Sequence, residues 1–169
     1  DMMLSLAHDY SSSANRDLRV RGRRMVEDYL NVEHTPQGPK LSRRPPGEYR
    51  QAAASLFNAY LNENQYDWVI SIADSLEEQV GSDVLFARNK ARALHKLRLN
   101  EQAEAAFERA VGIDPVDDTL HAFYADFLDD LGRYDDAYVE FEKAICGDPN
   151  DGNRFINLAN HIMLRGFYR

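Results

Sequence analysis

Between Val84 and Gly152 one pattern is written twice at a step of 34 residues, the distance from Pro115 to Pro149. In that register Ala91 matches Ala125, Leu94 matches Leu128, Ala103 matches Ala137, Phe107 matches Phe141 and Ala110 matches Ala144. The endings FERAVGIDPVDD and FEKAICGDPNDG carry the register to the close of each period. A fixed period of this length is the mark of a helical solenoid, in which each unit is one supersecondary hairpin.

The physical basis lies inside each period. Apolar residues recur three and four positions apart, which stacks them on one face of a helix. Tyr124, Ala125 and Leu128 do so in the first half, and Ala137, Phe141 and Ala144 in the second. Alanine at the contacts lets two helices approach closely, and phenylalanine fills the space beside them. The short polar stretches KLRLNEQ and DLGRYDD separate the halves and suit the turn of a helical hairpin. Asp-Pro at Pro115 and Pro149 then stops the second helix, because proline cannot continue it. One hairpin alone would leave an apolar face in water, so neighbours must stack.

This order of small residue, aromatic, small residue and proline resembles the tetratricopeptide repeat family. The resemblance covers roughly two-thirds of the chain. It implies an all-α fold, a right-handed superhelical solenoid of helix-turn-helix repeats, preceded here by a partly irregular N-terminal leader. The array is expected over 48–169, with repeats near 50–83, 84–117 and 118–151 and a partial one at 152–169. The first is read as divergent: Ile70 and Asp74 are placed where later repeats have alanine and phenylalanine, and Ser82 where they have proline. Trp68, Ile72, Ala73 and Leu76 still make an apolar face there, slightly rotated. The partial repeat puts Phe155, Leu158, Ala159 and Ile162 at helix positions and breaks where a second helix should begin. It retains Ile156, Met163, Phe167 and Tyr168, too apolar for the polar outer face of a cap.

The rest of the chain differs in charge. Residues 1–50 hold nine Lys/Arg against seven Asp/Glu, and residues 51–169 hold eleven against twenty-one. An acidic array lacks the basic surface that phosphate contacts need, so nucleic acid is not its expected partner. Residues 1–47 form a basic, partly helical leader and a proline-rich linker, which can also be read as the tail of an upstream domain. Arg16, Arg19, Arg21, Arg23 and Arg24 crowd a loose amphipathic face of Leu18, Met25, Val26, Tyr29 and Leu30. They read as a solvated or docked helix surface, or as a contact for phosphate or anionic lipid. Residues 31–47, with four prolines and two glycines, read as an irregular linker or extended strap. The single cysteine, Cys146, rules out an intrachain disulfide framework, fits a reducing compartment and is expected to be a small buried thiol. No apolar run approaches the roughly 20 residues that span a bilayer, and a cytoplasmic location is expected. A start at Asp1 suggests a chain trimmed or excised from something longer.

The sequence holds no glycine-rich phosphate loop, no paired-cysteine site and no His-Glu-x-x-His. No enzyme activity and no cofactor are expected. His121 stands where relatives carry a bulky apolar residue and reads as a core histidine satisfied by a neighbour. The resemblance instead implies a concave groove lined by positions two, five, nine and twelve of each repeat. From these come the candidate partner-binding residues Asn58, Leu61, Leu85, Arg88, Arg92, His95, Asp126, Asp129, Ile156, Asn160 and Met163. Arg88 and Arg92 sit one turn apart, either as a fork for a peptide carboxylate or as partners of Asp126 and Asp129. Of the two-carboxylate clamp used by chaperone-tail binders of this family only Asn58 is present, with Ala54, Arg92, Ala122 and Asp126 at the other positions. The expected task is to hold a protein's peptide or helix in the groove. The alternatives are a regulatory or sensor segment of a larger signalling ATPase or effector, and a scaffold that self-associates or continues through its last helix.

Overall fold

The computed structural model describes residues 2–11, 13–147 and 151–166. Among them the elements run α1 (Met2–Ser11), α2 (Arg16–Leu30), β1 (Val32–Thr35), β2 (Gly38–Leu41), α3 (Tyr49–Asn62), α4 (Tyr66–Val80), α5 (Val84–Lys96), α6 (Asn100–Ile113), α7 (Asp118–Asp130), α8 (Tyr134–Gly147) and α9 (Gly152–Gly166). Three helical hairpins, α3/α4, α5/α6 and α7/α8, stack in order and α9 packs on the last of them. The fold is an all-α repeat solenoid.

The period writes the local structure as well as the core. Asp83 and Asp117, one period apart, cap α5 and α7 by accepting from the amides of Leu85 at 2.8 Å and Leu120 at 2.6 Å. Within each hairpin the chain turns through one left-handed residue: Asn64 at φ 58°, Arg98 at 61° and Gly132 at 77°. Around it the amides of Gln65, Leu99 and Arg133 donate to the carbonyls of Tyr60, Leu94 and Leu128. Those of Asn64, Arg98 and Gly132 donate to Leu61, His95 and Asp129, completing the same helix-ending motif three times.

Ala91, Ala103, Phe107 and Ala110 are fully buried in the second repeat, as are Ala125 and Ala137 in the third, with Phe141 and Ala144 nearly so. The first repeat keeps the same backbone with different side chains. Its buried apolar positions on α4 are Val69, Ile72, Ala73 and Leu76, while Trp68 is half-buried. Val69 and Ala73 therefore stand one period before Ala103 and Phe107, one residue earlier than the expected Ile70 and Asp74. Asp74 is exposed and pairs with Lys90. Gly81, at φ 93°, stands where the later repeats have Pro115 and Pro149.

Ahead of the array, α1 and α2 pair with each other and α2 lies against α3. Asn15 caps α2 by accepting from the amide of Asp17 at 2.8 Å, and Asn31 ends it in the left-handed region at φ 61°. Val26 and Leu30 enter one core with Leu56, Phe57, Tyr60, Ile72, Leu76 and Phe86. A second core runs from Val84 to Phe141, and Ile70 touches both. Of the leader's arginines, Arg23 meets Glu63 and Glu27, Arg19 donates to the carbonyls of Ser13 and Ala14, and Arg21 lies over Tyr10.

The proline-rich segment is more ordered than an irregular strap. Residues 32–41 form an antiparallel hairpin in which Val32 pairs with Leu41 and Thr35 with Gly38, leaving Pro36 and Gln37 as the turn. Gly38 is at φ 123°, and a Cβ there would lie 3.2 Å from Ser71 Oγ, so glycine serves both the turn and the close approach to α4. The strand is pinned to α4 by side chains: Ser71 Oγ donates to the Pro39 carbonyl at 2.7 Å, and the Leu41 amide donates to Ser75 Oγ at 2.9 Å. Cys146 is exposed in the last turn of α8, so the expected burial does not hold. Its place in that turn lies beyond Ala144, the last core residue of the helix.

Candidate binding groove

The first helices of successive repeats, α3, α5 and α7, lie side by side. Between them is a cavity of about 160 Å³ lined by Ala54 and Asn58 from α3, Leu85, Arg88, Asn89 and Arg92 from α5, and Thr119 and Phe123 from α7. Four of the candidate groove residues, Asn58, Leu85, Arg88 and Arg92, thus meet at one place. Leu85 contributes little surface there because it is 5% exposed and belongs to the first core, as does Leu61 at 8%. Asn89 is buried and donates Nδ2 to the Leu85 carbonyl at 2.7 Å, one helical turn back.

The two arginines do not pair with Asp126 and Asp129. Arg88 ion-pairs with Asp117, the cap of α7, which lies nearer than the middle of that helix. Its Nε is nevertheless buried and has no acceptor. Arg92 lies over the ring of Phe123, with the guanidinium carbon 4.5 Å from the ring centre. Burial pushes its pKa down against the pull of Asp126 and Tyr66, so the cation is held in a poorly solvated place. Among the described residues no carboxylate lies within ion-pair distance of it.

Aspartates line the adjoining stretch of α7. Asp129 accepts from His161 Nδ1 on α9 at 2.8 Å, which draws it away from Arg88. Asp130 meets His95 Nε2 at 2.9 Å and Arg98 at 3.7 Å. His95 is buried, and that burial lowers its pKa against the Asp130 contact, so it braces α5 on α7 more than it faces a ligand. Asp126 makes no hydrogen bond to a described residue. Solvent still reaches it, but the surrounding wall of protein desolvates the carboxylate and Asp130 and Asp129 add repulsion. Lys96 and Arg92 pull the other way, and its pKa rises to about 6.

On α9, Ile156 and Met163 are 57% and 61% exposed and Asn160 is exposed, away from the arginine cavity. Phe155 and Ile162 are open too, whereas the expected Phe167 and Tyr168 lie outside the described residues. Sequence reasoning missed Phe123, Asn89 and Asp117. The last was legible, since Asp83, Asp117 and Asp151 recur at the period just before a helix.

Residues 89–117, from the middle of α5 to the cap of α7, match the family model described as tetratricopeptide repeat. Solved structures share the fold over a longer span. A thermophilic TPR protein in Thermus thermophilus, TTC0263, superposes with a TM-score of 0.72 at 14% identity, covering 95% of this chain and 80% of that one. The chain has the fold of a tetratricopeptide repeat array. The Arabidopsis OM64 TPR domain superposes on this repeat protein at a TM-score of 0.57 and 19% identity, covering 66% of this chain and 92% of that one. MamA AMB-1 does so at 0.55 and 16%, covering 98% and 80%. No curated protein matches the sequence. Tetratricopeptide arrays are protein-interaction modules and the family is generally non-catalytic. No described helix is long and apolar enough to cross a membrane.

Proposed function

We propose that this tetratricopeptide protein holds a peptide or helix of a protein partner along the face formed by its first helices. The observation that carries the reading is the cavity where α3, α5 and α7 converge, with two arginines, two amides and a phenylalanine at its wall. Stability alone gives no reason to concentrate half-buried charge there, because an unpaired guanidinium in a desolvated place weakens a fold. Asp126, held with a raised pKa beside it, is a second group of that kind, and such perturbed groups concentrate at functional sites. The test is site-specific photo-crosslinking in cells, with a benzophenone amino acid at Asn58 or Asp126 on the groove, or at Ala105 or Glu108 on α6. Adducts to one partner should form at the first pair and not at the second. Equal capture at both pairs would sink the groove reading.

A second reading concerns the end of the array. Phe155, Ile156, Ile162 and Met163 form an open apolar surface on α9. It supports self-association, or cover by a further helix, without excluding a ligand in the groove.

A further inference from the structure

Granted the groove reading above, the structure assigns a carboxylate seat to the cavity between α3, α5 and α7. Two independent observations ask for an acceptor at the same place. Arg92 presents a guanidinium, one face covered by Phe123, that bonds to no described residue. Arg88 Nε is buried with no acceptor, although the same guanidinium already meets Asp117. The exposed amide of Asn58 stands on the facing wall and has no hydrogen bond to a described residue.

Charge and size select the occupant. Arg88 is already ion-paired with Asp117, so Arg92 is the guanidinium of the cavity left without an ion pair among the described residues, and one negative charge matches it. A phosphate dianion would overfill that balance and face Asp117 and Asp126 at close quarters. A planar carboxylate fits a guanidinium fork with two parallel hydrogen bonds. The volume, about 160 Å³, is that of roughly five waters at about 30 Å³ each, enough for a carboxylate with its methylenes. The seat takes one carboxylate and differs from the family's two-carboxylate clamp, of which this chain has Asn58 alone.

The experiment is a titration of the full chain, labelled with nitrogen-15, followed through the arginine Nε–Hε resonances. The probes are acetyl-Ala-Glu-Ala-amide, acetyl-Ala-Ala-Ala with a free C terminus, acetyl-Ala-Ala-Ala-amide and inorganic phosphate. Saturable shifts of the Arg88 and Arg92 resonances are expected with either carboxylate peptide and not with the amide. The stronger of the two names the source, side chain or C terminus. Arg92→Gln should weaken binding about tenfold or more while leaving the backbone spectrum folded. Arg92→Lys should recover part of it, since lysine restores the charge without the fork. The assignment is overturned by no saturable shift from either carboxylate peptide, by equal shifts from the amide, by tighter binding of phosphate, or by wild-type affinity in Arg92→Gln. If groove crosslinks at Asn58 persist in that case, the groove stands and only the carboxylate seat falls.

Discussion

His121 has an acceptor on both ring nitrogens: Glu140 lies 2.6 Å from Nδ1 and the Pro115 carbonyl 2.9 Å from Nε2. A neutral imidazole has one N–H, so both bonds form together only when the ring is charged. The Glu140 bond raises the His121 pKa, burial opposes it and the Pro115 carbonyl helps. A raised folded pKa means that this stabilisation is full below about 6.5, the ordinary value, and is lost as pH rises through the raised one. For Glu140, burial works against the charge, but His121 and Lys143 outweigh it and hold its pKa low. Its share is therefore lost as pH falls below the ordinary carboxylate range. The pair should stabilise most between about pH 4.5 and pH 6.5. Urea unfolding should show stability falling as pH rises above about 6.5, with that slope reduced in Glu140→Gln. His121→Gln should cost about 1–3 kcal/mol at the lower pH. A slope indifferent to Glu140→Gln would refute the charged pair. Asp126 has the opposite sign of effect. Its folded pKa of about 6 lies above the unfolded value, so its charge subtracts stability increasingly as pH climbs from about 4 to about 6, and the deficit persists above. Asp126→Asn should leave the midpoint unchanged near pH 4 and raise stability at about pH 7.5, by under about 1 kcal/mol because the group is solvent-screened. Destabilisation at the higher pH would show instead that Asp126 has a structural partner.

At the scale of the element, the three intra-repeat turns share one backbone but not one residue. Gly132 suits its φ of 77°, Asn64 tolerates 58°, and Arg98 at 61° carries a Cβ where the left-handed region penalises it. Gly132→Ala should destabilise by about 1 kcal/mol, whereas Arg98→Gly should be neutral or stabilising by up to about 1 kcal/mol. Thermal melts of the two variants check this, and a loss in Arg98→Gly comparable to that in Gly132→Ala would show that its long contact with Asp130 matters more than the strain. These turns also show what the sequence made readable. The hairpins over 84–147 follow from alanine, phenylalanine and proline at a fixed step, because those residues report directly on close helix packing and helix ends. The first repeat was readable only in outline. Its contacts are made by Val69, Ala73 and Leu76 with no aromatic at the key position, so nothing in the residue types fixed the register to better than one place. The hairpin at 32–41 was hidden by its prolines: Pro39 opposes His34, while Ser71 and Ser75, more than thirty residues away, supply the bonds that dock it. Repeat position alone was enough to bring Asn58, Leu85, Arg88 and Arg92 to one cavity, but not to give their charge pairing. Whether Arg88 faced Asp117 or Asp126 depended on how far α7 slides along α5, which no local pattern encodes.

Among the described residues, the two sides of the array are covered differently. At the N-terminal side α2 and the hairpin cover α3 and α4, and Tyr60 Oη donates to the buried Glu27 at 2.8 Å across that junction. Burial first, then Glu27, pushes the phenol pKa well above its usual range, so the bond keeps its proton at any ordinary pH. At the other side α9 is held on the third repeat by His161, which meets Asp129 and packs on Tyr134 and Phe141. One period earlier, His121, Ala125 and Leu128 of α7 occupy the places that Phe155, Ala159 and Ile162 take on α9. The α7 residues are buried, and Phe155 and Ile162 are 47% and 49% exposed. An apolar row that the rest of the solenoid covers favours association, since burying it removes apolar area from water. Light scattering across a concentration series should therefore show this chain passing from monomer to dimer as concentration rises. Phe155→Glu with Ile162→Glu should hold it monomeric, with little loss of stability because neither side chain is in the core. A chain monomeric at every concentration would mean that the exposed row on α9 does not drive self-association. Dimerisation that survives the double substitution would move the contact off α9, and crosslinking at Asn58 would then decide whether the groove itself is the interface.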